Sequence, residues 1–198
     1  GLIFREFYFS GQLSCADLSV RIGKSIPFTM KILNEMIDEG YVYEAGFAPS
    51  SGGRRPVNYA VSPDMIYIVS VAMDQLVTRI AIMDIQNRHV GEVHKFNLPL
   101  QNNPDALTQL GDNISEVIAS SGIDRKKIIG AGIGMPGFID VKKGINYSFL
   151  ENRSRSITQS LGEKLELPVY IDNDSSLIAL AEFRFGGARH RRIAMVLN

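Results

Sequence analysis

Ile128-Ile-Gly-Ala-Gly-Ile-Gly-Met-Pro-Gly137 and Leu167-Pro-Val-Tyr-Ile-Asp-Asn-Asp174 are the two stretches that set the architecture. Both are short apolar runs that suit buried strands, and each ends in turn or polar residues. Glycines at 130, 132 and 134 let a backbone or a ligand approach the first strand closely, and Pro136-Gly137 enforces a turn at its end. The second run feeds Ser175-Ser-Leu-Ile-Ala-Leu-Ala-Glu182, a helix that Ser175 is expected to cap and that stops at Gly186-Gly187. Between the two runs, Ile157–Leu165 has helical spacing. Strand, helix, strand, helix in succession is an α/β layer arrangement.

Upstream of these runs, Met65–Met73 and Val77–Ile85 read as apolar strands, and His89–Asn97 alternates less strictly. Pro104 opens a helix with apolar positions at Leu107, Leu110, Ile114, Val117 and Ile118. Ile193–Leu197 reads as a further strand. The pattern differs before residue 45. Leu2, Ile3, Phe4, Phe7 and Tyr8 have helical spacing and end at Ser10-Gly11. A second helix starts at Ser14, with Asp17 completing a capping-box variant. A third follows Ser25, with Pro27 in its first turn and Leu33, Met36 and Ile37 as its apolar set, and Gly40 stops it. Tyr41–Tyr43 and Val57–Val61 then flank a glycine-rich, flexible hairpin tip. The expected domains are residues 1–62 and residues 65–198.

The chain has 198 residues, 45% of them hydrophobic, so each part can bury a core. Lys and Arg total 21, as do Asp and Glu, which excludes a globally basic nucleic-acid coat or a polybasic membrane binder but leaves local patches open. Cys15 is the only cysteine and cannot form an internal disulfide; no Cys/His cluster has metal-ligand spacing, so neither metal nor cofactor is expected. Nothing reads as a signal peptide or a 20-residue apolar span, which predicts a cytoplasmic protein with no membrane partner.

Three short helices and a glycine-tipped hairpin follow the order of a winged helix-turn-helix, in which the third helix enters the DNA major groove. Its candidate contacts are Ser25, Thr29, Lys31 and Asn34: hydroxyls for phosphates or bases, an ammonium for a phosphate, and an amide deeper in the helix. Arg54 and Arg55 at the wing tip carry guanidinium forks suited to phosphate or a narrow minor groove. Residues 1–62 hold six basic and six acidic side chains, so attraction to a duplex rests on placement. Arg21, Lys24 and Lys31 lie around the turn and helix start, whereas Glu35, Asp38 and Glu39 lie toward the helix end. That segregation favours a duplex over a bland interaction module.

In the second part, a strand that delivers Asn173-Asp174 to a helix N-terminus puts polar groups where α/β folds bind ligands. Asp174 can accept a proton from a sugar hydroxyl and Asn173 can hold neighbouring hydroxyls. Asp174 can equally serve as a helix cap, and spacing alone leaves both readings open. The glycine string lacks the Gly-Lys-Ser/Thr ending of a P-loop.

Taken together, the winged helix-turn-helix order, Ser51-Gly-Gly-Arg-Arg-Pro56, Gly130…Pro136-Gly137 and Leu167-Pro-Val…Asn173-Asp174…Ala181-Glu182…Gly186 resemble the ROK family of repressors, open reading frames and sugar kinases. The resemblance covers essentially the whole chain. It implies an actin-like, ribonuclease-H-like sugar-kinase fold of which residues 65–198 are the first lobe, and a head that marks the family's transcriptional regulators. ROK kinases hold ATP phosphates on Asp-x-Gly-Gly-Thr. The equivalent stretch is read as Ala72-Met-Asp-Gln-Leu76, without either glycine or the threonine. The family's second phosphate loop and cysteine-rich zinc motif would lie beyond Asn198, so the lobe is expected to be incomplete. Family recognition helices carry small or hydroxyl residues where Phe28 and Met30 stand, and these two are expected to turn inward or to meet thymine methyls.

The resemblance therefore implies a sugar-responsive transcriptional regulator, a repressor, that binds double-stranded operator DNA as a homo-oligomer and senses a sugar or sugar derivative through Gly137, Asn173 and Asp174 without catalysis. The alternatives are a ROK sugar kinase with Asp174 as general base, and a DNA-binding protein whose sugar lobe only mediates dimerisation.

Overall fold

The computed structural model describes residues 2–48, 55–150 and 155–188. The chain divides into two compact units, one of residues 1–65 with 84–88, the other of residues 66–83 with 89–198.

In the first unit, α1 (Leu2–Ser10) is followed by the two-residue strand β1 (Leu13–Ser14) and by α2 (Cys15–Ile22). Ser14 caps α2, its hydroxyl accepting the Asp17 N–H, and Gly23 closes the helix in the left-handed conformation. Three residues, Gly23-Lys24-Ser25, lead to α3 (Ile26–Asp38), which Ser25 caps. An antiparallel hairpin of β2 (Val42–Phe47) and β3 (Val57–Val61) completes the unit in the sheet order β1-β3-β2. Phe7, Leu13, Leu18, Leu33, Val42, Tyr59 and Val61 are buried within it.

Strand β2 runs further than the sequence suggests. Pairing shifts register between Glu44 and Phe47, where Gly46 takes a φ of 100°, and the ladder then resumes at Phe47 opposite Val57. The bulge thus converts the start of the expected flexible tip into strand. The rest of the tip, residues 49–54, and the expected strand at Ile193–Leu197 lie outside the described residues.

The second unit contains β4 (Tyr67–Met73), β5 (Val77–Asp84), β6 (His89–Asn97), α4 (Ala106–Ser120), β7 (Ile128–Met135), the small hairpin β8 (Ile139–Asp140) and β9 (Ile145–Asn146), α5 (Ile157–Leu165), β10 (Val169–Asn173) and α6 (Asp174–Arg184). Its main sheet has the order β10-β7-β4-β5-β6. β10 and β4 both run parallel to β7, and β6 runs antiparallel to β5. Val69, Val71, Ile133, Met135 and Ile171 pack with Leu110, Ile114 and Leu161 in one buried cluster, so α4 and α5 supply the helical layer over one face. At roughly 1.5–3 kcal/mol for each fully covered aliphatic side chain, this cluster is the main source of stability of the unit. Ser156 opens α5 with a complete capping box to Gln159.

The parallel pairing positions the site. Met135 lies opposite Asn173 in the β7–β10 register, so the next residues of each strand, Pro136-Gly137 and Asp174, emerge side by side at the carboxyl ends. Ala72 lies opposite Gly134 in the β4–β7 register, which brings Asp74 out at the same end of the sheet.

Candidate functional site

On the first unit, the Ser25 hydroxyl accepts the Phe28 N–H at 3.4 Å, and the residue remains exposed. Lys31 and Asn34 are exposed and share one stripe of α3 with Pro27 and Asp38 through i, i+4, i+7, i+11 spacing. Lys31 Nζ lies 3.9 Å from Glu35 Oε1, and both side chains are solvated, so the pair is weak and open to exchange. Arg55 is exposed, and Arg54 lies outside the described residues. Lys24 Nζ stands 5.9 Å from the Phe28 ring centroid. Met30 turns partly inward and takes the Tyr59 hydroxyl on its sulfur at 3.9 Å, whereas Phe28 stays half-exposed.

One expectation needs correction. Thr29 is fully buried, and its hydroxyl donates to the Ser25 carbonyl at 3.0 Å, so it is unavailable to a duplex. Its spacing from Leu33 and Met36, i, i+4, i+7, sets it on the buried stripe, and that signal was present in the sequence. Arg21 donates to Ser10 Oγ at 2.7 Å and lies 3.7 Å from Glu6 Oε2, which ties it back to α1.

On the second unit, α6 is capped by Asn173, not by Ser175: the Asn173 carbonyl oxygen of the side chain accepts the Ser176 N–H at 3.1 Å, and Asp174 is the first helical residue. The other end of the same amide, Asn173 Nδ2, donates to the Gly137 carbonyl at 3.1 Å. Gly137 and Asn173 are thus joined directly. Gly137 has a φ of +108°, and a Cβ there would lie 2.8 Å from Ser148 Cβ and 2.9 Å from Asn146 Oδ1, so only glycine fits. Asp174 Oδ1 accepts the Ser175 N–H at 2.7 Å.

Asp174 also lines a cavity of about 580 Å³ with Ser70, Asp74, Arg79, Gly132 and Leu177. That volume suits a small ligand. Gly137 and Asn173 are not among its walls. Sequence reading missed Asp74 and Arg79. Asp74 Oδ1 accepts the N–H groups of Leu76 and Val77 at 2.8 and 2.7 Å, and Arg79 Nη1 donates to Oδ2 at 3.4 Å. These bonds, the two backbone ones first, hold the Asp74 carboxyl below the usual carboxylate range.

The turn fixes the register of the phosphate motif. With Asp74 as its aspartate, Leu76 and Val77 occupy the glycine positions and Thr78 the threonine position, so the threonine is present and only the glycines are replaced. Thr78 is fully buried in β5, and its Oγ1 has no hydrogen-bond partner among the described residues. The amides that a glycine turn would offer to phosphate are here occupied by the protein's own carboxylate, whose charge also repels an anion.

The geometry is that of a mixed α/β fold carrying a polar site at the carboxyl ends of parallel strands. The chain belongs to the ROK family, whose profile matches residues 70–197. It is 37% identical over 194 residues to the xylose repressor of Caldicellulosiruptor bescii, an alignment that covers 93% of this chain and 47% of that protein. It is 28% identical over 192 residues to the xylose repressor of Bacillus subtilis, covering 96% of this chain and 49% of the relative. The chain therefore spans about half the length of these curated relatives. Among solved structures, a ROK family transcriptional regulator described as a homolog of the E. coli MLC protein superposes with a TM-score of 0.67 at 20% identity, over 93% of this chain and 47% of that one. That likeness shows the fold. Among the described residues, no helix is long and apolar enough to cross a membrane.

Proposed function

We propose that this chain carries the DNA-reading head and the first sugar-sensing lobe of a cytoplasmic, sugar-responsive transcriptional repressor. The head, residues 1–62, is read as a winged helix-turn-helix: α2, a three-residue turn containing Gly23, α3, and a hairpin. The observation that carries the reading is the exposed stripe of α3, where Lys31 and Asn34 stand clear of the buried Thr29–Leu33–Met36 stripe. Ser25, Lys31, Asn34, Arg55 and, on the wing tip, Arg54 are the side chains that would meet operator DNA. A homodimer would place two such heads on successive half-sites. The relatives named xylose repressor support both the DNA and the pentose parts of the reading.

Gly137, Asn173 and Asp174 are assigned to the sugar. No catalytic role is assigned to Asp174, because phosphoryl transfer also requires a held nucleotide, and the Leu76 and Val77 amides already serve Asp74. The family includes kinases, so hexoses and pentoses with ATP, tested for turnover, form the control; Asp174-dependent turnover overturns the non-catalytic assignment.

The test of the head begins with a duplex selected from a random-sequence pool and its affinity measured as a function of salt. Lys31→Ala is expected to weaken binding evenly across sequences and to lower the salt slope by about one. Asn34→Ala is expected to relax discrimination among selected sequences, a loss of about 1–3 kcal/mol where it bonds a base edge. Unchanged affinity and slope in both variants overturn the proposed reading face.

A further inference from the structure

We propose that Asn146 and Ser148 are positioning residues for the effector, holding the Pro136–Phe138 loop so that the Gly137 N–H is presented to a sugar hydroxyl. The inference rests on the sugar-sensing reading above and adds to it two side chains from the β8–β9 hairpin and its exit.

The backbone groups of the loop account for one another almost completely. Pro136 has no N–H, and its carbonyl accepts Asn146 Nδ2 at 2.9 Å. The Gly137 carbonyl accepts Asn173 Nδ2 at 3.1 Å. Phe138 donates its N–H to Ser148 Oγ at 3.0 Å and accepts the Tyr147 N–H on its carbonyl at 2.8 Å. Only the Gly137 N–H has no acceptor among the described residues. Gly137 is half-buried, so this N–H stands beside Asn173 as a donor that solvent fills and that a sugar hydroxyl can take over.

The clamp is built on one buried amide. Asn146 is buried to 1% exposure, and its Oδ1 accepts the Ser148 and Phe149 N–H groups at 2.9 and 3.1 Å while its Nδ2 holds Pro136. One amide therefore fixes both the loop and the segment that supplies Ser148. The absent side chain of Gly137 is what allows this contact, since a Cβ would overlap Asn146 and Ser148. Binding sites lose affinity when the groups behind the contact atoms loosen, even though those groups never touch the ligand.

The experiment uses D-xylose as the probe, titrated calorimetrically into the full chain, Asn146→Ala, Ser148→Ala and Ser148→Thr, with amide spectra of 15N-labelled protein. D-xylose is expected to shift the Gly137 amide resonance and slow its hydrogen exchange. Ser148→Ala, an exposed position at no risk to the core, is expected to lose about tenfold in D-xylose affinity with little change in thermal stability. Ser148→Thr, which keeps the hydroxyl acceptor, is expected to restore it. D-xylose affinity within twofold of the parent in both alanine variants, or a Gly137 amide unmoved by bound sugar, overturns the inference and leaves the sensing reading standing. A parent chain that binds neither D-xylose nor any other pentose or hexose overturns both.

Discussion

The hydroxyl of Thr29 sits fully covered in the head, bonded to the carbonyl four residues before it. Lys31, two residues on, is exposed, and among the described residues its ammonium has one long contact, to Glu35. The two residues should therefore separate folding from binding. Thr29→Val preserves shape and removes one buried hydrogen bond, so it should destabilise the head by about 1 kcal/mol while leaving the salt dependence of duplex binding unchanged. Lys31→Ala should leave the denaturation midpoint within roughly 0.5 kcal/mol of the parent and flatten the salt dependence. Urea unfolding and duplex titration on both variants make the comparison. A Thr29→Val head that is as stable as the parent but binds duplex poorly would return Thr29 to the reading face.

The β4–β5 turn makes a corresponding case for one element. Asp74 binds two amides of the turn and faces Arg79, and its carboxyl titrates below its ordinary value. A carboxyl depressed in the folded state stabilises the fold above its unfolded pKa, and that contribution fades as pH falls through the lower folded value. Asp74→Asn keeps an acceptor for both amides, so at neutral pH it should lose only the small contribution of the charge, and with it this acid-range dependence. Asp74→Ala removes the acceptor and should cost about 1 kcal/mol, modest because the side chain is half in water. Thermal melts between pH 3 and 7 read both effects; an Asp74→Ala melt that matches the parent at every pH would show that the turn does not depend on the carboxylate. The same turn marks what sequence could and could not supply. Helix starts at Ser14 and Ser25 are local chemistry, and both are caps in the fold. The cap of α6 was not decidable locally, because Asn173-Asp-Ser-Ser176 offers four good capping residues in a row. The choice falls to Asn173 because its amide also reaches Gly137 on the neighbouring strand end. Likewise Leu13–Ser14 becomes a strand only because Tyr59 and Asn58 lie opposite it, and Asn146 gains its role from a loop ten residues earlier. The strands of the main sheet and the order of the helices were legible from pattern. The clamp around Gly137 was not, since it consists of contacts between segments.

For the whole molecule, two compact units in one chain raise the question of how occupancy of one is felt by the other. Any such coupling is a free energy shared by two binding equilibria, so it acts equally in both directions. A sugar that weakens duplex binding does so only because it prefers a state in which the head binds DNA less well, and the duplex must then oppose the sugar by the same factor. In the proposed repressor, saturating D-xylose should lower affinity for the selected duplex, and saturating duplex should lower affinity for D-xylose equally. The two factors should agree within error when both are measured at one ionic strength, since phosphate contacts make the duplex constant steeply salt-dependent. Typical couplings of about 1–3 kcal/mol correspond to changes of roughly 5–150-fold, well within the reach of anisotropy and calorimetry. D-xylose binding that leaves the duplex affinity untouched would mean that the lobe binds sugar without reporting it, and the regulatory reading would fail even though each unit binds its own ligand.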